Sequence, residues 1–330
     1  MRLVLLLALL ASGCALTRAP VLPPALEQQR GPANVELADV PFFAQRDYQC
    51  GPASLAMALR YTGVAVAPDD LVTRVYLPGR QGSLALEMLA ATRAYGRVAY
   101  PLRPQLSALL AELQEGRPVV VLQNLGIEAV AVWHFAVVVG YDGRSDRVIL
   151  RSGERERVEQ SGYEFLRTWV LAGQWAMAVL RPGELPAADD AAGYVRALAA
   201  AEAARQDVDL RPAWEAAVQR WPDSTLARFG AANALYRTGD AQGAVAAYIE
   251  LLSLAPGDLA ARNNLADALR SLGCRVLARD TLADALRGAA HDDPLRPALE
   301  RTQEELGAGQ AHAPEPADCA HWRVPRMAAR

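Results

Sequence analysis

Four residue identities recur 34 positions apart in the C-terminal half of this 330-residue chain: Pro222 with Pro256, Arg228 with Arg262, Leu235 with Leu269, and Gly239 with Gly273. A fixed period constrains a fold more tightly than composition does, because each unit must bury its apolar face against a copy of itself. Trp214, Tyr248 and Leu282 keep the same register, each a large apolar residue placed to wedge against the next unit. Alanine dominates the stretch and no alternating pattern interrupts it, so it reads as all helix. The units run over 190–222, 223–256 and 257–290. Three is about the smallest number that buries a continuous face.

This period resembles that of tetratricopeptide repeats, and the resemblance implies stacked helix pairs whose surface recruits a protein partner. Residues 182–190 read as a linker into the repeats. From 307 to 330 the chain turns to Pro, Ala and His, and a disordered tail is expected.

At the other end, Arg2 precedes the apolar run Leu3 to Leu10, about half the length that spans a bilayer. Residues 1–14 therefore read as a signal peptide. Ala11, Ser12 and Gly13 lead into Cys14, which resembles the lipobox of bacterial lipoproteins, although Ala11 stands where Leu is commonest. The resemblance implies lipidation of Cys14 and anchoring in the cell envelope. Ala15 beside it implies the outer membrane, facing the periplasm. Residues 15–38, with four prolines and little periodicity, read as a flexible tether.

An oxidising compartment bears on the cysteines. Besides Cys14 there are Cys50, Cys274 and Cys319; either Cys274 bonds to Cys319 or all three stay free, and both cases leave Cys50 as a thiol. The net charge of −3, with both signs scattered, gives no basic stripe for nucleic acid. All 34 basic residues are Arg, which reads as genome composition rather than as a recognition surface.

Residues 39–182 alternate helical and extended signals. Gly51-Pro52 opens an apolar helix that stops at Gly63; residues 83–95 and 106–115 are further helices, closed by Gly96 and Gly116. Residues 118–123, 133–141 and 147–151 are short runs rich in Val and Ile, with a hairpin turn at 143–146. A helix at 163–171 and a strand at 175–180 complete an α+β order.

Cys50 stands at a helix start, where unpaired N–H groups and the helix dipole favour a thiolate. His134, the only histidine of this domain, opens an apolar strand. Alone, such a cysteine is more often an inert core residue and such a histidine a structural one. Together they form a nucleophile and its general base. Gln45, five residues before Cys50, offers a side-chain amide as an oxyanion donor beside the Cys50 N–H.

The blocks Val40 to Gln45, Cys50-Gly51-Pro52-Ala53-Ser54-Leu55 and His134 to Asp142 together resemble the bacteriocin-processing, double-glycine leader peptidases and their papain-like relatives. The resemblance implies a papain-like cysteine peptidase fold, with Cys50 as nucleophile, His134 as base then acid, and Gln45 as oxyanion donor. Relatives often space the glutamine six residues from the cysteine, so Gln49 competes with Gln45. They usually carry an Asp on the strand after the histidine strand, where this chain has Leu150-Arg151-Ser152-Gly153-Glu154. Asp142, eight extended residues from His134, lies roughly 26 Å away and belongs to the turn. Folding the hairpin returns Ser152 to Glu154 beside His134, so Ser152 is the expected orienter, with Glu154 and Asn124 as alternatives.

The chain is thus expected to be a periplasm-facing lipoprotein cysteine peptidase that cleaves a peptide bond, with repeats that recruit substrate or partner. A catalytically weak peptide-binding scaffold and a transamidating acyltransferase are the alternatives. No cofactor is expected, no phosphate loop appears, and the His and Cys spacings, including His312, Cys319 and His321 of the tail, imply no metal.

Overall fold

The computed structural model of the protein describes residues 34–205, 207–308 and 315–327. Cys14, the signal peptide and most of the expected tether lie outside the described residues. The described residues divide into two compact units, one of 34–91 with 101–179, the other of 92–100 with those from 180 to 327.

The first unit opens on a short strand, β1 (Asn34–Glu36), and then the buried helix α1 (Cys50–Tyr61). Every residue of α1 from Gly51 to Leu59 is buried, so the helix has no polar face and belongs in the middle of a core. It ends where Gly63 takes φ +89°, which a side chain disfavours. Next come α2 (Pro68–Val75), the two-residue pair β2 (Tyr76–Leu77) and β3 (Gly82–Ser83), α3 (Ala85–Ala94), whose last three residues belong with most of β4 (Val98–Pro101) to the second unit, and then α4 (Leu106–Gln114). The sheet follows: β5 (Val119–Asn124), β6 (Trp133–Asp142), β7 (Arg147–Ser152) and β8 (Arg155–Ser161), then α5 (Gly162–Val170) and β9 (Ala176–Leu180).

The strands lie side by side as β9-β5-β6-β7-β8, each pair antiparallel. β5 covers the first part of β6, from Trp133 to Val138, and β1 takes over at Gly140 to Asp142. Side-chain alternation splits the sheet. Val119, Val121, Ala136, Val138 and Leu150 pack with α4 and α5, while Val120 and Val137, also buried, turn to the other face, where α1 packs. Ser161 caps α5, its hydroxyl accepting the Glu164 N–H while the Glu164 carboxylate returns to Ser161 N–H. The buried guanidinium of Arg151 donates to the carbonyls of Ala38, Val40 and Glu156 at 3.0, 3.2 and 2.8 Å, tying the lead-in to Gln45 onto β7.

Two features differ from the sequence reading. β1 falls inside the stretch expected to be tether, held by register with Asp142, Tyr141 and Gly140 rather than by any pattern of its own. β8 carried no strand signal, because Arg155-Glu156-Arg157 is charged and solvent-facing at the edge of the sheet.

The second unit is helical from Asp190 onward: α6 (Ala191–Ala204), α7 (Arg211–Arg220), α8 (Thr225–Arg237), α9 (Ala241–Leu254), α10 (Leu259–Ser271), α11 (Arg275–Gly288) and α12 (Arg296–Ala308). Successive helices pack on one another, and α12 also packs on α10. Ser224, Asp240 and Asp258 cap their helices, each side chain accepting the N–H of the residue three positions on. Gly239 and Gly273, one period apart, close α8 and α10 at φ +89° and +82°. Trp214, Tyr248 and Leu282 are all buried in α7, α9 and α11. The tail was expected to be disordered, yet within residues 315–327 a disulfide joins Cys319 to Cys274, Arg262 donates to Pro325 O at 2.6 Å, and Met327 N–H donates to Asp284 at 3.0 Å.

Candidate active site

Cys50 is the first residue of α1. The turn before it, closed by the Gln49 N–H on Arg46 O at 3.0 Å, holds Tyr48 at φ +61°, a backbone region that a bulky residue enters only under constraint. α1 then brings the thiol to a cleft of about 660 Å³, lined also by Gln45, Ser83, Trp133, His134 and Gly153. Burial pushes the Cys50 thiol up; the N–H groups of Phe135, Gly51 and Cys50 itself pull the other way without overcoming it. Among the described residues Cys50 is the one free cysteine.

His134 is the second residue of β6, and Ser152 is the last of β7. Val137 pairs with Arg151, so Ser152 falls one step further along and diagonal to His134. His134 Nε2 and Ser152 Oγ are 2.8 Å apart. Burial pushes the imidazole down, and the neutral ring is the resting form. Glu154 is exposed in the turn beyond β7. The Asn124 side-chain Oδ1 accepts Gly126 N–H and Val132 N–H at 3.0 and 2.9 Å, which turns the amide toward the hairpin between β5 and β6. Asp142 accepts from Arg144 N–H and Ser145 in the β6–β7 turn.

Gln45 is fixed from three sides: its N–H donates to Gly153 O at 3.0 Å, and its amide nitrogen lies 3.2 Å from Phe135 O and 3.4 Å from Ser54 Oγ. Gln49 lines a separate depression with Phe43, Ala53 and Asp69. Of the two glutamines, Gln45 shares the cleft with Cys50.

Two elements of the cleft carried no signal of their role in the sequence. Ser83, on β3, presses on Gly51, and its buried hydroxyl has no hydrogen-bond partner. Val132 and Trp133, at the mouth, belong to a hairpin that displays apolar side chains to water. Ser83 read as the start of a helix, yet that helix begins at Ala85 because two-residue β3 has no pattern of its own, and Trp133 read only as the start of a strand. No group of three or more His, Cys, Asp or Glu among the described residues could hold a metal ion.

A thiol at a helix start and an imidazole at a strand end, facing one cleft of an α+β domain, is the layout of a cysteine peptidase. Residues 37–176 match the model of the family described as Peptidase_C39 like, so the first unit carries a C39-peptidase-like domain. The chain is also similar to a C39-like peptidase from Bacillus anthracis, at 21% identity and a TM-score of 0.39, over 45% of this chain and 98% of that one. It is similar to the peptidase domain of Streptococcus ComA, a bi-functional ABC transporter of a quorum sensing pathway, at 18% identity and a TM-score of 0.36, over 43% of this chain and 98% of that one. No curated protein matches the chain significantly.

Proposed function

We propose that the first unit is a cysteine peptidase that cleaves a peptide bond of a polypeptide through a thioester on Cys50. The observation that supports it most is the fixed imidazole: His134 Nε2 lies 2.8 Å from Ser152 in the cleft that contains Cys50. With Nε2 engaged, Nδ1 is the nitrogen left to take the thiol proton as Sγ attacks the carbonyl. The developing oxyanion meets the Cys50 N–H and the Gln45 amide, which gives up its contact to Ser54 or Phe135 to reach it. The imidazolium protonates the departing amine, and water then hydrolyses the thioester with His134 again as base. On the same reading Cys14 carries a lipid, the protein faces the periplasm from the outer membrane, and tetratricopeptide-type helix pairs recruit substrate or partner.

A mixed peptide library incubated with the protein should yield new termini by mass spectrometry, and Cys50→Ala and His134→Ala should yield none. New termini that persist in Cys50→Ala, or their absence with the wild type, would sink the peptidase reading. A second reading, a peptide-gripping scaffold of little activity, is favoured by one observation: a hydroxyl stands where a carboxylate would stabilise the imidazolium. Turnover by the wild type separates the two.

A further inference from the structure

His134 stands between two neighbours on one face of the sheet: Ser152 lies diagonal to it on β7, and Gln123 lies directly across from it on β5. Residues opposite one another in antiparallel strands send their side chains to the same face, with Cβ atoms about 5 Å apart. Gln123 is fully buried, whereas His134 is half-buried. The Gln123 amide nitrogen donates to Thr168 Oγ on α5 at 2.7 Å and to Gln160 Oε1 on β8 at 3.0 Å. Thr168 fixes which way the amide points. Its single hydroxyl proton goes to a carbonyl of its own helix, Phe165 O at 3.0 Å or Glu164 O at 3.1 Å, so toward Gln123 it acts only as an acceptor. Both amide protons are thus committed. The Gln123 Oε1 is left buried, with no hydrogen-bond partner among the described residues.

A buried carbonyl oxygen without a donor is costly in the resting protein, and a positive charge that forms beside it offsets that cost. The imidazole across the strand is such a group, neutral at rest and positive once it holds the Cys50 proton. We propose that Gln123 is a positioning residue for the charged form of His134: its Oε1, the negative end of a fixed dipole, faces the ring and stabilises the imidazolium that the Ser152 hydroxyl orients but does not compensate. When Nδ1 takes the thiol proton the ring gains one positive charge and Sγ one negative, and no proton passes to Gln123. A neutral amide on β5 then serves where β7 offers no carboxylate. The charged or titratable groups that share the cleft with the ring are Arg46, Asp47, Tyr48 and Cys50, in the turn before α1 and at its start, and Arg80 before β3. From β7, Arg151 is spent on three carbonyls, and Glu154 beyond the strand end is exposed. On α5, Glu164 turns to the helix cap at Ser161. At the back of the ring the polar groups are neutral: Gln123, Gln160 and Thr168.

This inference rests on the peptidase reading for why the ring must carry charge, but its test needs no turnover. The full-length protein, carbon-13 labelled at histidine, is titrated by NMR, with the His134 signal assigned by its loss in His134→Ala. Gln123→Met keeps the length of the side chain and removes the dipole, so the midpoint of His134 should move down. Gln123→Glu adds charge at the same place, so the midpoint should move up. The signals of His291, His312 and His321 should stay where they are in both. Alkylation of Cys50 by iodoacetamide at pH 6.5 should follow, slower by at least about threefold in Gln123→Met and faster by at least about threefold in Gln123→Glu. A packing defect moves both variants the same way. Midpoints that shift in one common direction, or that do not shift, would overturn the proposal. Each variant also decides alone should the other fail to fold, since the first must lower the midpoint and the second must raise it. A library left uncut by a protein whose midpoints move as stated fails the peptidase reading alone. A library cut by the wild type, with midpoints that stay in place in the variants, fails this inference alone.

Discussion

A serine at position 152 changes what the histidine can do. A carboxylate beside an imidazole stabilises its charged form, whereas a hydroxyl 2.8 Å from Nε2 orients the ring without supplying charge. Burial then pushes the His134 imidazole down and the Cys50 thiol up, so the resting pair is neutral. The rate of Cys50 alkylation should therefore keep climbing with pH beyond the ordinary thiol range, with no plateau near neutrality. Ser152→Asp reverses the sign: a carboxylate at this position should push the His134 imidazole up and favour the thiolate. Alkylation at pH 6.5 should then rise at least roughly tenfold, read from the full rate–pH curve. A curve identical to the wild type would show that position 152 does not govern the ring. The sequence pointed to residues 152–154 through hairpin geometry alone, since the strand after the histidine strand must return beside it. It put Ser152 first and kept Glu154 and Asn124 as alternatives, because the choice depends on which side chain faces the ring. Glu154 is exposed past the end of β7, and Asn124 spends its oxygen on the hairpin.

Elements with a strong period were legible, and short or charged ones were not. α1, α3, α4 and α5 and the strands β5, β6, β7 and β9 lie within a few residues of their expected positions, since each has an apolar face or a turn at its end. β3, two residues long, has no period to read, yet it sets the position of α1. An ideal Cβ on Gly51 would lie 2.2 Å from Ser83 Oγ and 2.5 Å from Ser83 Cβ. Glycine at 51 is therefore needed for close approach, not for backbone freedom. Gly51→Ala should push β3 from the helix start at a cost of about 1–3 kcal/mol, and it should slow alkylation of the adjacent Cys50. Ser83→Gly in the same chain removes both clashing atoms, so the double variant Gly51→Ala, Ser83→Gly should regain most of the loss. A denaturation midpoint and an alkylation rate for all four proteins complete the cycle. Additive losses in the double variant would show that the contact does not set the helix start.

The whole molecule joins two units with different sources of stability. The first buries a sheet between α1 on one face and α4 and α5 on the other. The second buries helix against helix in a repeating pattern, and the 34-residue offset made that half legible from identities alone. The cysteine count offered Cys274 as a partner for Cys319, but the packing of the final stretch was not legible, because its Pro, Ala and His composition reads as disorder. Its packing depends on distant groups: Arg262, buried in α10, donates to Pro256 O and Pro325 O and faces Asp284, which also accepts Met327 N–H. The Cys274–Cys319 bond closes a 45-residue loop over α11 and α12. A cross-link across a loop of that length stabilises the folded state by about 4 kcal/mol through the entropy it removes from the unfolded chain. Reduction should therefore act on one unit. Hydrogen exchange by mass spectrometry, with and without reductant at neutral pH, should show protection falling in α10, α11 and residues 315–327. The sheet strands β5, β6 and β7 should keep theirs, because no disulfide constrains that unit among the described residues. Protection that falls equally in both units would mean that they unfold as one. Protection unchanged in the helices would mean that the packing of Arg262 and Met327 holds the tail without the bond.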